Sequence, residues 1–252
     1  MLLPFNLRHM VAASLLSCAF LVLCKPAGGQ LNSVSAHVEI RNGSKAKPGK
    51  HVGDNFSDVV IWLKPMDAAP TDSIPAEPLR KRPQLVQRNK SFQPHLLVVP
   101  VGSAVDFPNR DPFFHNVFSL FDGKRFDLGL YESGTSNSVR FDRAGISFLF
   151  CNIHPEMSAV VVAVDTPFYG VSDRAGNVTI ANLPDGKYEL HVWYERSLPE
   201  NLKALSRTVS ISATNKGLGK IIVPENPSFS PAHSNKYGQD YAPPPAPEYA
   251  HP

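Results

Sequence analysis

Cys151-Asn152-Ile153-His154-Pro155-Glu156-Met157 places a thiol, an imidazole and a thioether at Cys-x2-His-x2-Met spacing. The apolar run Ile146-Ser147-Phe148-Leu149-Phe150 leads straight into it and has the length and composition of a strand. Upstream, Phe113-Phe114-His115-Asn116-Val117 supplies a second imidazole. Two imidazole nitrogens, one thiolate and a weak axial methionine sulfur make the ligand set of a blue-copper electron-transfer site. The soft sulfurs favour Cu(I), the imidazoles accept Cu(II), and a constrained geometry lets one electron pass with little rearrangement.

Working outward, the chain has 252 residues, room for one large domain or two small ones. Hydrophobic content of 42% and charged content of 19% suit a globular protein. Residues 1–29 have another character. Arg8 and His9 precede the apolar run Val11 to Leu23, and Lys25-Pro26-Ala27-Gly28-Gly29 follows. This pattern predicts a secretory signal cut before Gln30, with the mature protein periplasmic or secreted and carrying no transmembrane segment. Leu21-Val22-Leu23-Cys24 has the outline of a lipoprotein box, but bulky Leu23 stands where a small residue is needed.

Cleavage takes two of the 25 basic residues and none of the 22 acidic ones. The near-neutral remainder has no field to attract nucleic acid or anionic lipid. It also takes Cys18 and Cys24, leaving Cys151 without a disulfide partner in an oxidising compartment. A bound metal gives a lone thiol a reason to persist there.

In chain order, Ser35 to Ile40 and Val59 to Leu63 read as strands, and the proline-rich stretch that follows reads as a linker (66–84). From Leu85, short apolar runs alternate with turns: Phe92 to Pro100, Ala104 to Phe107, His115 to Leu120, Phe126 to Tyr131, Ser138 to Phe141, Ile146 to Phe150 and Ala159 to Val164. A third pattern begins at Tyr169, with turns at Asp173 to Gly176 and Leu183 to Tyr188. No segment sustains helical periodicity. The expectation is an all-β chain of β-sandwich type. The Pro- and Tyr-rich stretch 225–252 reads as a disordered tail with polyproline II character.

On these residues the segment 85–167 resembles a cupredoxin, most similar to the amicyanin and plastocyanin types. The matching features are Phe92 to Gly102, the Asn-x-Asp of Asn109 to Asp111, His115-Asn116-Val117, and the short loop in which Pro155 directly follows His154. The resemblance implies a Greek-key β-sandwich holding one copper ion. His115, Cys151 and His154 would be equatorial ligands and Met157 the axial one, with the Asn116 amide hydrogen-bonded to the thiolate. Phe113, Phe114, Phe148 and Phe150 would supply an apolar surround. It further implies electron exit at the His154 edge, through an apolar patch that docks redox protein partners transiently.

The flanking segments 30–65 and 168–224 resemble two halves of a carboxypeptidase-regulatory-like (transthyretin-like) β-domain. Asp173 to Gly176 and Leu183-Pro184-Asp185-Gly186-Lys187-Tyr188 carry that resemblance, and the cupredoxin unit would be inserted between Leu63 and Tyr169. Chains of this kind are also similar to those labelled methylamine-utilisation-like, which by itself implies no pathway here.

Blander readings stand beside these. A cysteine after an apolar strand is often a core residue, a histidine beside two phenylalanines is often structural, and a methionine fills gaps. Zinc accepts Cys and His but not Met. A binuclear copper centre needs a second cysteine, and a trinuclear cluster needs the absent His-x-His pairs. No phosphate loop, catalytic triad or zinc-peptidase motif appears, so no enzymatic activity is expected. His95 and His191 read as structural. The alternative to electron transfer is a copper-binding or structural scaffold of the cell envelope, with no redox shuttling. The residues do not fix the oligomeric state.

Overall fold

The computed structural model describes residues 31–42, 55–67, 81–120 and 122–241. The signal expected at 1–29, most of the linker and the last stretch of the tail lie outside them. Among the described residues the fold is nearly all β, and no helix is long and apolar enough to cross a membrane.

The strands are β1 (Asn32–Asn42), β2 (Val60–Pro65), β3 (Val86–Gln87), β4 (Phe92–Gln93), β5 (Leu96–Pro100), β6 (Ala104–Pro108), β7 (His115–Ser119) and β8 (Phe126–Tyr131). There follow β9 (Ser136–Arg140), β10 (Gly145–Phe150), β11 (Ser158–Val164), β12 (Tyr169–Val171), β13 (Asn177–Leu183) and β14 (Gly186–Trp193). The helix α1 (Pro199–Leu205) precedes β15 (Arg207–Ile211) and β16 (Gly217–Glu225). The sequence reading has no counterpart for α1, which is too short for its period to register. Its signals are local: a proline at the helix start and Glu200 in the first turn.

Two β-layered units result. In the first, a five-stranded sheet of order β5-β11-β10-β7-β8 lies with the β6–β9 pair and the β3–β4 hairpin around one core. In the second, a three-stranded sheet (β13-β1-β16) and a four-stranded sheet (β12-β2-β14-β15) enclose another. The chain leaves this second unit after β2 and returns in β12, which pairs antiparallel with β2, Tyr169 opposite Trp62.

Strand β11 belongs to both cores, and the period of two explains how. Ala159, Val161 and Ala163 point into the first core, while Val160, Val162 and Val164 point into the second. Leu96, Val98, Ile146 and Phe148 add to the second face. The near-continuous β-branched run is therefore what a strand buried on both faces requires. At roughly 25 cal/mol per Å2 of apolar surface, each of these valines stabilises the joint by about 1.5 kcal/mol or more.

The motifs of the second unit fall on tight turns. Gly176 has φ +82°, and its amide bonds the Asp173 carbonyl. Its own carbonyl accepts the Val38 amide at 2.7 Å, so the turn docks directly on β1. Between β13 and β14, the Tyr188 hydroxyl donates to the Pro184 carbonyl at 2.8 Å and pins the turn to the core.

Candidate metal centre

His115 opens β7, fully buried, and antiparallel pairing of β7 with β10 sets Phe118 opposite Phe150. That pairing brings the end of β10, and hence Cys151, alongside His115. After Cys151 the chain turns back on itself. The Met157 amide donates to the His154 carbonyl at 3.1 Å, and the Cys151 amide donates to the Met157 carbonyl at 3.2 Å. The loop is thus closed on its own backbone, and Pro155 removes a donor within it.

Three ligand atoms converge. His115 Nδ1 lies 3.1 Å from His154 Nδ1, and the Cys151 Sγ lies 3.8 Å from the former and 3.6 Å from the latter. Among the described residues this trio is the group of ligand-type side chains whose donor atoms all lie within 4.8 Å of one another. Atoms bound about 2.0 to 2.3 Å from a shared ion sit roughly 3 to 4 Å apart, so the spacing fits one metal. Met157 is fully buried in the same cluster as Cys151, with its backbone tied into the loop as above.

Asp111 sets the orientation of His115. Its Oδ2 accepts the His115 Nε2–H at 2.8 Å, both side chains being buried. That bond assigns the proton to Nε2 and leaves the Nδ1 lone pair facing Cys151 and His154, the tautomer a metal needs. The same carboxylate accepts the Asn89 amide at 2.6 Å and the Lys90 amide at 2.9 Å. Those amides point at it because Asn89 and Lys90 both have positive φ, as the central pair of a type I′ turn. Burial alone would raise the Asp111 pKa. The Lys90 amide, the His115 ring and the Asn89 amide together bring it below the usual carboxylate range.

Burial pushes the Cys151 thiol pKa up, while the amides of Asn116, Ile153 and His154 aim at its sulfur and favour the thiolate. Burial also lowers the His154 pKa, and the neighbouring His115 ring adds to the effect. A neutral imidazole and a thiol that gives up its proton on binding are the states in which these side chains ligate.

The structure divides the four phenylalanines expected to surround the site. Phe113 packs edge-on against His115, with ring centroids 5.2 Å apart, and reaches His154 at 5.7 Å. Phe114 is exposed to solvent. Phe148 points the other way, towards Trp193 of the second unit, because strand alternation puts it opposite Leu149 and Cys151. Phe150 packs against Phe118 and His233. His95 joins neither the trio nor Met157. It bridges the Ser158 carbonyl and Glu195 of the second unit, at 3.1 and 2.7 Å.

The stretch from residue 225, expected to be a disordered tail, lies through Tyr241 against the candidate site: the Tyr241 hydroxyl donates to the Cys151 carbonyl at 2.7 Å, and the Lys236 amide donates to Asn152 Oδ1 at 3.0 Å. Proline content describes local stiffness and says nothing about where a segment docks. Asp111 also escaped the sequence reading as a functional residue. Its position four residues before His115, in the Asn-x-Asp loop, was the available signal.

The chain matches no protein-family model and no curated protein. Among solved structures it is similar to a purple cupredoxin from Nitrosopumilus maritimus, with 23% identity over 32% of this chain and 99% of that one and a TM-score of 0.30. It is similar to a copper-containing nitrite reductase from Thermus scotoductus SA-01, at 24% identity and TM-score 0.33, over 37% of this chain but only 25% of that one. A reduced amicyanin variant matches at 24% identity and TM-score 0.32, over 35% of this chain and 88% of that one. By their descriptions the first of these is a cupredoxin and the second contains copper, and the likeness is confined to about a third of this chain. The case for a metal centre rests on the convergence of His115, Cys151 and His154.

Proposed function

We propose that this chain is an exported mononuclear copper protein that passes single electrons between redox partners and catalyses no reaction of its own. The observation that carries this is the convergence of two imidazole nitrogens and one thiol sulfur within 4.8 Å, one imidazole oriented by a buried carboxylate. His115, Cys151, His154 and Met157 would hold the ion. Copper bound there would supply a one-electron couple between Cu(I) and Cu(II).

The protein's own part is to keep the ligands in place through a change of charge. Asp111 fixes the His115 ring, the Asn116 amide holds the sulfur, and the 151–157 loop is locked by its own hydrogen bonds. Burial of His115, Cys151 and Met157 keeps water away, which limits reorganisation. His154 is only partly buried and is the ligand nearest solvent. Exposed Phe113 and Ile153 beside it suit brief docking of a redox protein. The second unit is read as carboxypeptidase-regulatory-like, a reading supported by its motif turns at Gly176 and Tyr188. Export to the periplasm or beyond follows from the character of residues 1–29.

The test is the visible spectrum of the protein with added Cu(II), with and without Cys151→Ser, followed by voltammetry. An intense thiolate-to-copper charge-transfer band, abolished in the variant, and a reversible one-electron couple are expected. A colourless protein, or a band that survives Cys151→Ser, overturns the copper reading and leaves the envelope-scaffold alternative.

A further inference from the structure

Residues Asn226 to Tyr241 run from the end of β16, in the second unit, to the candidate metal loop in the first. The segment starts with the Asn226 amide bonded to the Arg196 carbonyl at 2.7 Å. Near its far end Asn235 organises a turn: its amide donates to the Gln239 carbonyl at 2.8 Å, and its Oδ1 accepts the amides of Tyr237 and Gln239. The turn and the residues just after it bring Lys236 and Tyr241 to the start of the ligand loop.

Two chains of contacts lead inward. Along the first, Tyr241 donates to the Cys151 carbonyl and the Lys236 amide donates to Asn152, so the segment grips the residues at which β10 becomes the ligand loop. The His233 ring lies flat on Phe150, centroids 4.0 Å apart at 23°, and Tyr241 meets His233 edge-on at 5.4 Å. Along the second, Lys236 Nζ donates to Asp127 Oδ2 at 2.8 Å, and Asp127 Oδ1 accepts from Asn116 Nδ2 at 2.7 Å. Asn116 is the residue whose backbone amide faces the Cys151 sulfur. Both routes therefore end on Cys151, one at its carbonyl and one at its side chain.

We propose that residues 233–241 form a positioning strap, in which Tyr241 and Lys236 hold the ligand loop and Asn116 so that the Cys151 sulfur stays aimed at His115 and His154. The strap's purpose rests on the copper reading, but its grip on Cys151 is a property of the protein without metal. Backbone and side-chain hydrogen bonds of this kind fix a loop better than packing alone, because each has a direction. The strap also ties the metal loop to the second unit, giving that unit a part in the geometry of a site it does not line.

The experiment is alkylation of the metal-free protein by iodoacetamide, followed at Cys151 by peptide mass. Wild type is compared with Tyr241→Phe, Lys236→Met and Lys236→Arg, each checked for native circular dichroism. Loss of one hydrogen bond, to the Cys151 carbonyl in Tyr241→Phe and to Asp127 behind Asn116 in Lys236→Met, is expected to raise the Cys151 rate about three- to tenfold. Lys236→Arg, which can still pair with Asp127, should stay near wild type. In the copper-loaded protein the first two variants should also shift the thiolate-to-copper band. Wild-type alkylation rates in both Tyr241→Phe and Lys236→Met would overturn the strap. If no variant and no wild type binds copper, the function proposed above fails while the alkylation rates still decide this one.

Discussion

Asp111 is the residue whose removal tests the site most directly. Asp111→Ala deletes one acceptor that serves three donors: the His115 ring and the Asn89 and Lys90 amides. The two turn amides sit near the surface, and water can replace most of what they lose. The His115 Nε2–H is fully buried and has no such substitute. A hydrogen bond to a charged acceptor contributes about 1.5–3 kcal/mol, and a buried donor left unpaired costs about 1–3 kcal/mol. The metal-free variant should therefore be less stable by about 2–4 kcal/mol, a loss seen as a lower midpoint in urea. Without the carboxylate the ring is also free to take the other tautomer, with the proton on Nδ1. Copper affinity, measured by competition with a chelator, should fall about 10- to 100-fold, the usual penalty for losing a partner behind a ligating histidine. Asp111→Asn keeps one oxygen acceptor and should fall between wild type and Asp111→Ala in both assays. An Asp111→Ala protein with wild-type midpoint and wild-type copper affinity would refute the assignment, since something else would then be holding His115.

Two further perturbations probe the rest of the fold. Gly176→Ala places a Cβ 2.2 Å from the Val38 carbonyl oxygen at a positive φ, so β1 must move; a loss of about 3 kcal/mol or more is expected in chemical denaturation, and a midpoint within error of wild type would contradict it. The hydrogen bond to Glu195 raises the His95 pKa against the opposing effect of burial. Because the folded value lies above the ordinary histidine value, the pair's stabilisation is complete below about pH 6.5 and is lost as pH rises through the folded pKa. The pair is partly exposed, so screening keeps the effect small. The urea midpoint of wild type should drop relative to that of His95→Gln as pH rises from 6 to 9, and parallel profiles would sink the idea.

The legible part of the site was the part written in short-range spacing. Cys151, His154 and Met157 share one loop, and a loop that must follow a strand end can be read from the apolar run before it. His115 was readable only as a donor type beside an asparagine; its approach to Cys151 depends on β7 lying against β10, which no local pattern encodes. The facing of the phenylalanines is written in the strand period. Once Cys151 points inward, alternation places Leu149 with it and sends Phe148 to the other face. The strap was not legible at all. Its grip comes from Lys236, through its amide and its ammonium, and from Tyr241, whose partners lie at separations of 84, 109 and 90. In the second unit the turn motifs were readable because glycine at positive φ and the tyrosine-to-carbonyl bond are local devices.

The route of the chain through the second unit has a consequence for its birth on the ribosome. Strands β1 and β2 are made first, but β1 pairs with β13 and β16, and β2 with β12 and β14. Roughly a hundred residues must be synthesised between β2 and β12, which takes about 5–20 seconds at ordinary rates of elongation. Throughout that interval two apolar strands wait with their edges open, the condition under which nascent chains mispair or need a holding chaperone. The first unit, complete by Val164, has time to fold and bring Val160, Val162 and Val164 to its surface before the partners of β1 exist. It would then serve as the template on which the second unit closes, making the order of folding the reverse of the order of nesting.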